Sequence, residues 1–218
     1  LRPEAYPPAR PHTVELRETH VSWVWLTESD VYKVKKPVSL GFVDFTTIEA
    51  RRRACEAEVR LNNRLATGAY FGLVPVRRGP DGHVHLHDGG EVVDWAVHML
   101  RLPDEARADV RLERGALSRE DVERLAEHLA AFHARCETSP EIAAHGALPR
   151  LRENVTENFA ATRVDAPRIV SAAEAREVEE SQLGALERHA ALLERRREAG
   201  MVRDGHGDLR LEHVYFGG

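Results

Sequence analysis

The sequence lacks several features that would point to common functional classes. It has only two cysteines, Cys55 and Cys136, in 218 residues. That is too few for a disulfide scaffold, and buried free thiols fit a reducing cytosol. No run approaches the roughly 18 apolar residues that a membrane span needs, and no Gly-x-x-x-x-Gly-Lys-Ser/Thr loop is present. The net charge of -5 lacks the basic excess typical of nucleic-acid-binding proteins. We therefore expect a cytoplasmic protein with neither a membrane nor a nucleic-acid partner.

What is present divides into a mixed first part and a helical second part. Before residue 99, turn signals and β-branched or aromatic runs predict five short strands, with one helix at 48–65 inserted after the third. Thr46 and Glu49 form a capping box at the start of that helix. From Pro103 onward the apolar spacing is helical. These patterns predict an α+β protein with one lobe at 1–98, a connecting segment at 99–103 and a helical lobe at 104–218.

Three helices are expected in the second part. One begins at Ser118 and closes before Pro140, and a shorter one covers 148–159. The third is long: Ser171 and Glu174 box-cap its start, and Gly200 follows its end near residue 197.

A short motif near residue 206 carries the clearest chemical signal. His206, Gly207 and Asp208 form a turn, and a second polar residue, His213, follows five positions after Asp208. In a kinase-like loop such an Asp accepts the proton of a substrate hydroxyl during phosphate transfer. The three-residue match is weak alone, and gains weight from two upstream features.

The first of these features is Glu58, which falls within the apolar stripe of the predicted helix 48–65. Its neighbours at spacings of three and four are the apolar or neutral residues Ala54, Cys55, Leu61 and Asn62. A carboxylate in such a stripe is costly unless it is paired. Glu58 therefore either has a cationic partner or lies at the edge of the stripe and reaches water.

The second feature is the lysine-rich strand 31–36, in which Lys33 and Lys35 share one face. Lysines on a half-buried strand are common at sheet edges, where they prevent aggregation. In the functional alternative one lysine reaches ATP phosphates and is held by Glu58, since a lysine is a point charge on a flexible stem.

Together these segments resemble the aminoglycoside phosphotransferase-like family, which includes choline and fructosamine kinases. The resemblance runs from about Val14 to the end of the chain. Its strongest segments are 19–24 (THVSWV), 31–38 (VYKVKKPV), 55–62 (CEAEVRLN), 95–99 (WAVHM) and 206–208 (HGD). The subgroup that it resembles most is bacterial and often fused to a C-terminal P-loop ATPase or kinase domain. The resemblance implies a bilobal protein-kinase-like fold, with a five-stranded antiparallel sheet and one helix in the first lobe.

The resemblance also implies roles for individual residues. Lys35, with Lys33 as the runner-up, matches the lysine that holds the ATP phosphates, and Glu58 matches its helix partner. The loop over the phosphates matches Thr19 to Ser22, with Thr19, Ser22 and backbone amides as contacts. The hinge that hydrogen-bonds adenine through its backbone matches Met99, Leu100 and Arg101. The catalytic loop matches Asp208 as the base, with His206 and Arg210 beside it.

The implied cofactors are ATP and Mg²⁺, and the implied partner is a small hydroxylated acceptor such as a sugar or amino sugar. His213 stands where the family usually has Asn as a metal ligand, and imidazole suits softer ions than Mg²⁺. The family's second metal-binding Asp and its acceptor-binding helices would follow residue 218, so we expect the helical lobe to be incomplete and the chain to be a fragment of a larger protein. The alternative function is a nucleotide-sensing regulatory module without catalysis.

Overall fold

The computed structural model describes residues 3–6, 10–41, 43–86 and 88–217. They form two compact units. Unit 1 comprises the residues up to Ser118 together with those from Arg210 onward, and unit 2 comprises Arg119–Leu209. The expected lobe boundary at 99–103 lies inside unit 1 and stays a prediction.

Unit 1 is a mixed α+β structure, which confirms the fold class at this level. Its strands are β1 (Glu15–Glu18), β2 (Ser22–Leu26), β3 (Asp30–Lys35), β4 (Ser39–Leu40), β5 (Val43–Asp44), β6 (Tyr70–Arg78), β7 (Val84–His85) and β8 (Glu91–Leu100). Its helices are α1 (Ile48–Asn62) and the short α2 (Ala108–Glu113). Single turns of 3₁₀ helix cover Pro3–Ala5, Asp104–Ala106 and Leu211–His213.

The main sheet is antiparallel and has the strand order β1-β2-β3-β8-β6-β7. It therefore contains six strands in the described residues, where five were predicted. The edge strand β7 is only two residues long and pairs with Arg77 and Arg78. The separate β4–β5 pair was not predicted, because two-residue strands are too short to show an alternating pattern.

Helix α1 follows the β4–β5 pair, and its capping differs from the prediction. Thr46 does not cap it, because the Asp44 carboxylate accepts both the N–H and the hydroxyl of Thr46, at 2.9 and 2.7 Å. Thr47 is the N-cap instead and accepts the N–H of Ala50 at 3.1 Å. The helix ends at Asn62, three residues earlier than expected.

The two faces of the sheet differ in their side chains: one contributes to the apolar core and the other carries the lysines. Tyr32 and Val34 of β3 belong to the apolar core, together with Ala5, Tyr6, Val76, Leu86 and Ala96. Alternation along β3 places Val31, Lys33 and Lys35 on the opposite face. Helix α1 packs against β6 and β8. The core thus fixes the strand that carries the lysines.

Unit 2 is helical, with α3 (Arg119–Arg135), α4 (Pro140–Ala144), α5 (Leu148–Thr162) and α6 (Ala172–Glu198). The expected capping box of α6 is confirmed by Ser171 and Glu174. Gly200 has a φ of +67° just after α6, as predicted for a residue that ends a helix. Across the described part of the chain, none of the helices combines the length and the apolar character that crossing a bilayer would require.

Candidate functional site

Two lysines and one glutamate meet on the α1 side of the sheet. Lys33 Nζ donates to Glu58 Oε1 at 2.9 Å, and Lys35 Nζ donates to Glu58 Oε2 at 2.5 Å. Of the two alternatives left open for Glu58, the structure has the paired one, and the partners are both lysines rather than one. We call Lys33, Lys35 and Glu58 the lysine–glutamate triad.

Neighbouring contacts hold α1 in the position that this triad needs. Arg51 is buried, and its Nε lies 3.0 Å from both carboxylate oxygens of Asp94 in β8. One helical turn later the fully buried Cys55 contacts the carbonyl of Trp95. Glu58 follows Cys55 by three residues, so it lies on the same side of the helix, toward the sheet.

The electrostatics of the triad favour ionised Glu58. Burial is the largest single influence and raises the pKa of the carboxyl, but Lys33 and Lys35 together outweigh it, so that the pKa lies below its usual value. The triad then holds two ammonium groups and one carboxylate, which leaves one uncompensated positive charge. Such a charge in a partly buried site attracts an anion.

A cavity of about 250 Å³ opens in unit 1 beside the triad. Val31, the residue on β3 that precedes Lys33 on the same face, lines it, and so do Leu26 and Met99. Leu26 and Met99 are the register partners of Val31 on the two neighbouring strands. The remaining lining residues are Arg17, Ala69, Tyr70, Leu100, Arg101, Leu102, Asp104 and Tyr215.

The cavity wall contains all three predicted hinge residues, but two of their backbone donors are occupied. Leu100 N–H donates to the Ala69 carbonyl and Arg101 N–H to the Ser29 carbonyl, both at 2.8 Å. Leu102 also lines the cavity, and its N–H has no backbone acceptor among the described residues. Leu102, which lies within the predicted connecting segment 99–103, therefore has a backbone donor that a ligand could use.

The turn at residues 19–22 closes on itself. Thr19 N–H donates to the Ser22 carbonyl at 2.9 Å, and Ser22 N–H donates to the Thr19 hydroxyl at 3.0 Å. Ser22 is fully buried, and its hydroxyl has no hydrogen-bond partner among the described residues. The Ser22 side chain is thus enclosed, the exposed Thr19 hydroxyl bonds within the turn, and the amides of His20 and Val21 have no backbone acceptor among the described residues.

The predicted catalytic loop lies in unit 2. Asp208 N–H donates to Nδ1 of His206 at 3.3 Å. Gly207 between them has a φ of +78°, a conformation that favours glycine. The preceding segment is anchored to the end of α3, because Asp204 N–H donates to the Glu137 carbonyl at 3.0 Å and Arg203 to the Cys136 carbonyl at 3.2 Å.

Arg210 and His213 belong to unit 1 and share a carboxylate. Arg210 Nη2 lies 2.7 Å from Glu212 Oε1, and His213 Nε2 lies 3.7 Å from the same oxygen. No group of three His, Cys, Asp or Glu side chains that could hold a metal is found in the described ranges.

Two tyrosines of the site were not singled out from the sequence. Tyr70 begins β6, and Tyr215 lies in an extended segment that pairs with Arg107. Burial, with the charge of Glu58 and the proximity of Tyr215, raises the pKa of Tyr70 to about 12. Tyr70 is thus a neutral hydroxyl near Glu58 that also lines the cavity. Its position two residues after Gly68 carried no motif that could have revealed it.

Comparisons with known proteins give relatives of unstated activity. No family model and no solved structure match the chain. Proteins of Mycobacterium tuberculosis and Mycobacterium bovis, each named only as uncharacterized, are 30% identical to it over 213 residues. The match covers 98% of this chain but 41% of the relatives, so the chain spans about two fifths of their length. The resemblance to the aminoglycoside phosphotransferase-like family stays a prediction.

Proposed function

We propose that the chain is the nucleotide-binding part of an ATP-dependent small-molecule phosphotransferase with a kinase-like fold, related to the aminoglycoside phosphotransferase-like family. One observation carries the proposal. A mostly apolar cavity and a positively charged triad lie side by side on one face of the same strand, at Val31, Lys33 and Lys35. A nucleotide matches this arrangement, because it has a flat base at one end and anionic phosphates at the other.

The cavity suits the base. Its volume of about 250 Å³ is slightly below the roughly 300–1,000 Å³ of drug-sized pockets, which favours a single ring system. Leu26, Val31 and Met99 supply apolar surface. The unoccupied N–H of Leu102 supplies the polar contact that orients a ring nitrogen.

The triad suits the phosphates. Successive same-face residues of a strand are about 6.7 Å apart, so Lys33 and Lys35 follow the cavity residue Val31 at regular steps. Lysine is a common ligand of phosphate oxygens. The net positive charge of the triad supplies the attraction.

The transfer step would use Asp208 as the base. Its carboxylate would accept the proton of an acceptor hydroxyl while that oxygen bonds to the γ-phosphorus and the bond to the β–γ bridging oxygen breaks, which yields ADP and a phosphate ester. Mg²⁺ prefers oxygen ligands, and His213 with Glu212 does not provide a set that fits it.

The proposal can be tested by thermal unfolding with ATP. At about 100 times its dissociation constant a ligand stabilises a fold by about 2.7 kcal/mol, so ATP should raise the melting temperature measurably. Val31→Phe, which fills the cavity, should abolish this rise. Leu16→Phe is the matched control, because Leu16 is 55% exposed on β1 and does not line the cavity. An ATP effect that survives Val31→Phe would refute the cavity as the nucleotide site.

A nucleotide-sensing module without catalysis is the second candidate, and it is favoured by the imidazole of His213, which stands where the resembled family has an Asn and suits softer ions than Mg²⁺. The matched relatives are more than twice as long as the region in common, so a fused P-loop domain belongs to the proposal for the whole protein. Asp208→Ala in the full-length protein separates the two candidates. Loss of phosphate transfer with ATP binding retained supports the enzyme, whereas transfer that persists refutes the role of Asp208.

A further inference from the structure

The two lysines of the triad are enclosed to different degrees. The Lys35 side chain is 10% exposed, whereas that of Lys33 is 29% exposed. The ammonium of Lys35 lies 5.8 Å from the centre of the Phe45 ring, and its register partner on β2 is the fully buried Ser22. Lys35 is thus surrounded by protein, and Lys33 is the member of the triad that meets solvent.

Lys33 also lies nearer to the cavity. It is one strand repeat, about 6.7 Å, from the cavity residue Val31, and Lys35 is two repeats away. Its bond to Glu58, at 2.9 Å, is the longer of the two. If a nucleotide base fills the cavity, its phosphates reach Lys33 before they reach Lys35.

The charges of the triad permit one lysine to change partner. If a lysine that is the sole partner of a buried carboxylate moves to a ligand, it leaves an uncompensated charge, which is strongly unfavourable. Here Glu58 keeps Lys35 when Lys33 leaves. The second lysine therefore removes the electrostatic penalty that would oppose the exchange.

We propose that Lys33 is the lysine that moves from Glu58 to the phosphates of a bound polyphosphate, and that Lys35 remains as the permanent counter-ion of Glu58. This assignment rests on the proposed nucleotide site and deepens it, because it gives the phosphate contact to Lys33, the runner-up in the sequence resemblance, and a separate role to Lys35.

The composition of the chain strengthens this assignment. Of its 31 lysine and arginine residues, only Lys33, Lys35 and Lys36 are lysine. Arginine serves at all other cationic positions, including the buried pair of Arg51 with Asp94. A guanidinium is planar and forms fixed bidentate contacts, whereas an ammonium can rotate its donors on a flexible stem. Lysine thus occurs only on the segment that carries the triad, one member of which is proposed to change partner.

The same composition makes amine labelling selective for this segment. We would acetylate the side-chain amines of the folded chain under limiting reagent and follow each lysine by mass spectrometry, with and without tripolyphosphate or ATP. Lys33 should be acetylated faster than Lys35, and the ligand should protect Lys33 from acetylation. Lys36 serves as the internal reference, because it is held by Glu18 and the Thr19 carbonyl. Protection of Lys35 with Lys33 unchanged would overturn the proposal.

Binding measurements on variants give an independent test. Lys33→Met should weaken ATP and tripolyphosphate binding by about ten- to a hundredfold, the value of one charged hydrogen bond, and leave adenosine binding unchanged. Lys35→Met should weaken ATP binding less than Lys33→Met does. Arg60→Met, which removes a positive charge from the exposed side of α1, is the matched control. A larger loss in Lys35→Met than in Lys33→Met contradicts the assignment.

The outcomes also separate this inference from the proposed function. If tripolyphosphate protects Lys33 but no nucleotide binds, the nucleotide proposal fails and the role of Lys33 stands. If ATP binds with equal affinity to wild type and Lys33→Met, the function survives and the role of Lys33 fails. If neither tripolyphosphate nor ATP binds, both are refuted.

Discussion

Removal of both lysines from Glu58 should cost far more stability than removal of either one. Each single variant, Lys33→Met or Lys35→Met, leaves the carboxylate one ammonium partner and should cost about 1 kcal/mol, because the charge of Glu58 stays compensated and only the modest net value of one ion pair is lost. The double variant leaves a carboxylate side chain that is only 12% exposed without a partner, which costs about 3–5 kcal/mol. The double variant should therefore exceed the sum of the singles by about 2 kcal/mol, a typical coupling within a charged network.

Urea unfolding followed by tryptophan fluorescence is the appropriate assay. All three tryptophans, Trp23, Trp25 and Trp95, lie in unit 1, so the signal reports the unit that contains the triad. Addition of Glu58→Gln to the double variant should restore part of the lost stability, because it removes the unpaired charge. Additive losses would refute the reasoning and would mean that Glu58 reaches water, as expected for a residue at the edge of the apolar stripe.

The pH dependence of the same variants should differ in sign. In the wild type the pKa of Glu58 is below its usual value, so this group stabilises the fold above its unfolded pKa, and the contribution is lost as the pH falls through the folded pKa. In the double variant only burial acts on the carboxyl and raises its pKa. Its contribution to the unfolding free energy should then increase as the pH falls. The Glu58→Gln variants, which lack the titrating group, provide the baseline.

Two further predictions follow from buried groups outside the triad. Arg51→Met should lower the unfolding free energy by about 3–5 kcal/mol, because it leaves Asp94 without its cationic partner. The control is Arg119→Met, at a side chain that is 92% exposed, which should have no measurable effect in the same urea titration. Equal effects of the two substitutions would contradict the structural role of Arg51. Cys55 is fully buried, and burial raises the pKa of its thiol to about 11. Iodoacetamide at pH 8 should therefore leave Cys55 unmodified in the folded chain and alkylate it in urea, as measured by mass spectrometry. Rapid alkylation of the native protein would show that α1 opens readily.

The triad was predictable in part, because helical and strand periodicity indicate which face of its element each of the three residues occupies. Helical spacing placed Glu58 on the stripe with Cys55, and strand alternation placed Lys33 and Lys35 on one face. These local patterns indicated that the carboxylate needed a partner. They could not show that it has two, because the number of partners depends on the position of α1 over β3, which long-range contacts such as Arg51 with Asp94 determine.

The N-cap of α1 and the backbone donor at the cavity also depend on contacts that the sequence pattern does not show, here between residues closer in the chain. Thr46 and Thr47 are equally good capping residues by type, and the choice between them was made by the Asp44 carboxylate, which accepts the Thr46 N–H. Similarly, Leu100 and Leu102 are indistinguishable in the sequence. Only the structure shows that Leu100 N–H pairs with the Ala69 carbonyl, whereas Leu102 N–H has no backbone acceptor among the described residues.

The pairing of two lysines with one glutamate decides what kind of ligand the site can accept. A one-to-one pair would be neutral, and an anion would have to compete with Glu58 for its only partner. The triad holds an extra positive charge, so a first phosphate can be neutralised without cost to Glu58. A neutral ligand of the same size would gain nothing from Lys33. The site should therefore discriminate by charge, binding ATP more tightly than adenosine, and the loss of that preference in Lys33→Met is the consequence that a purely structural triad would not produce.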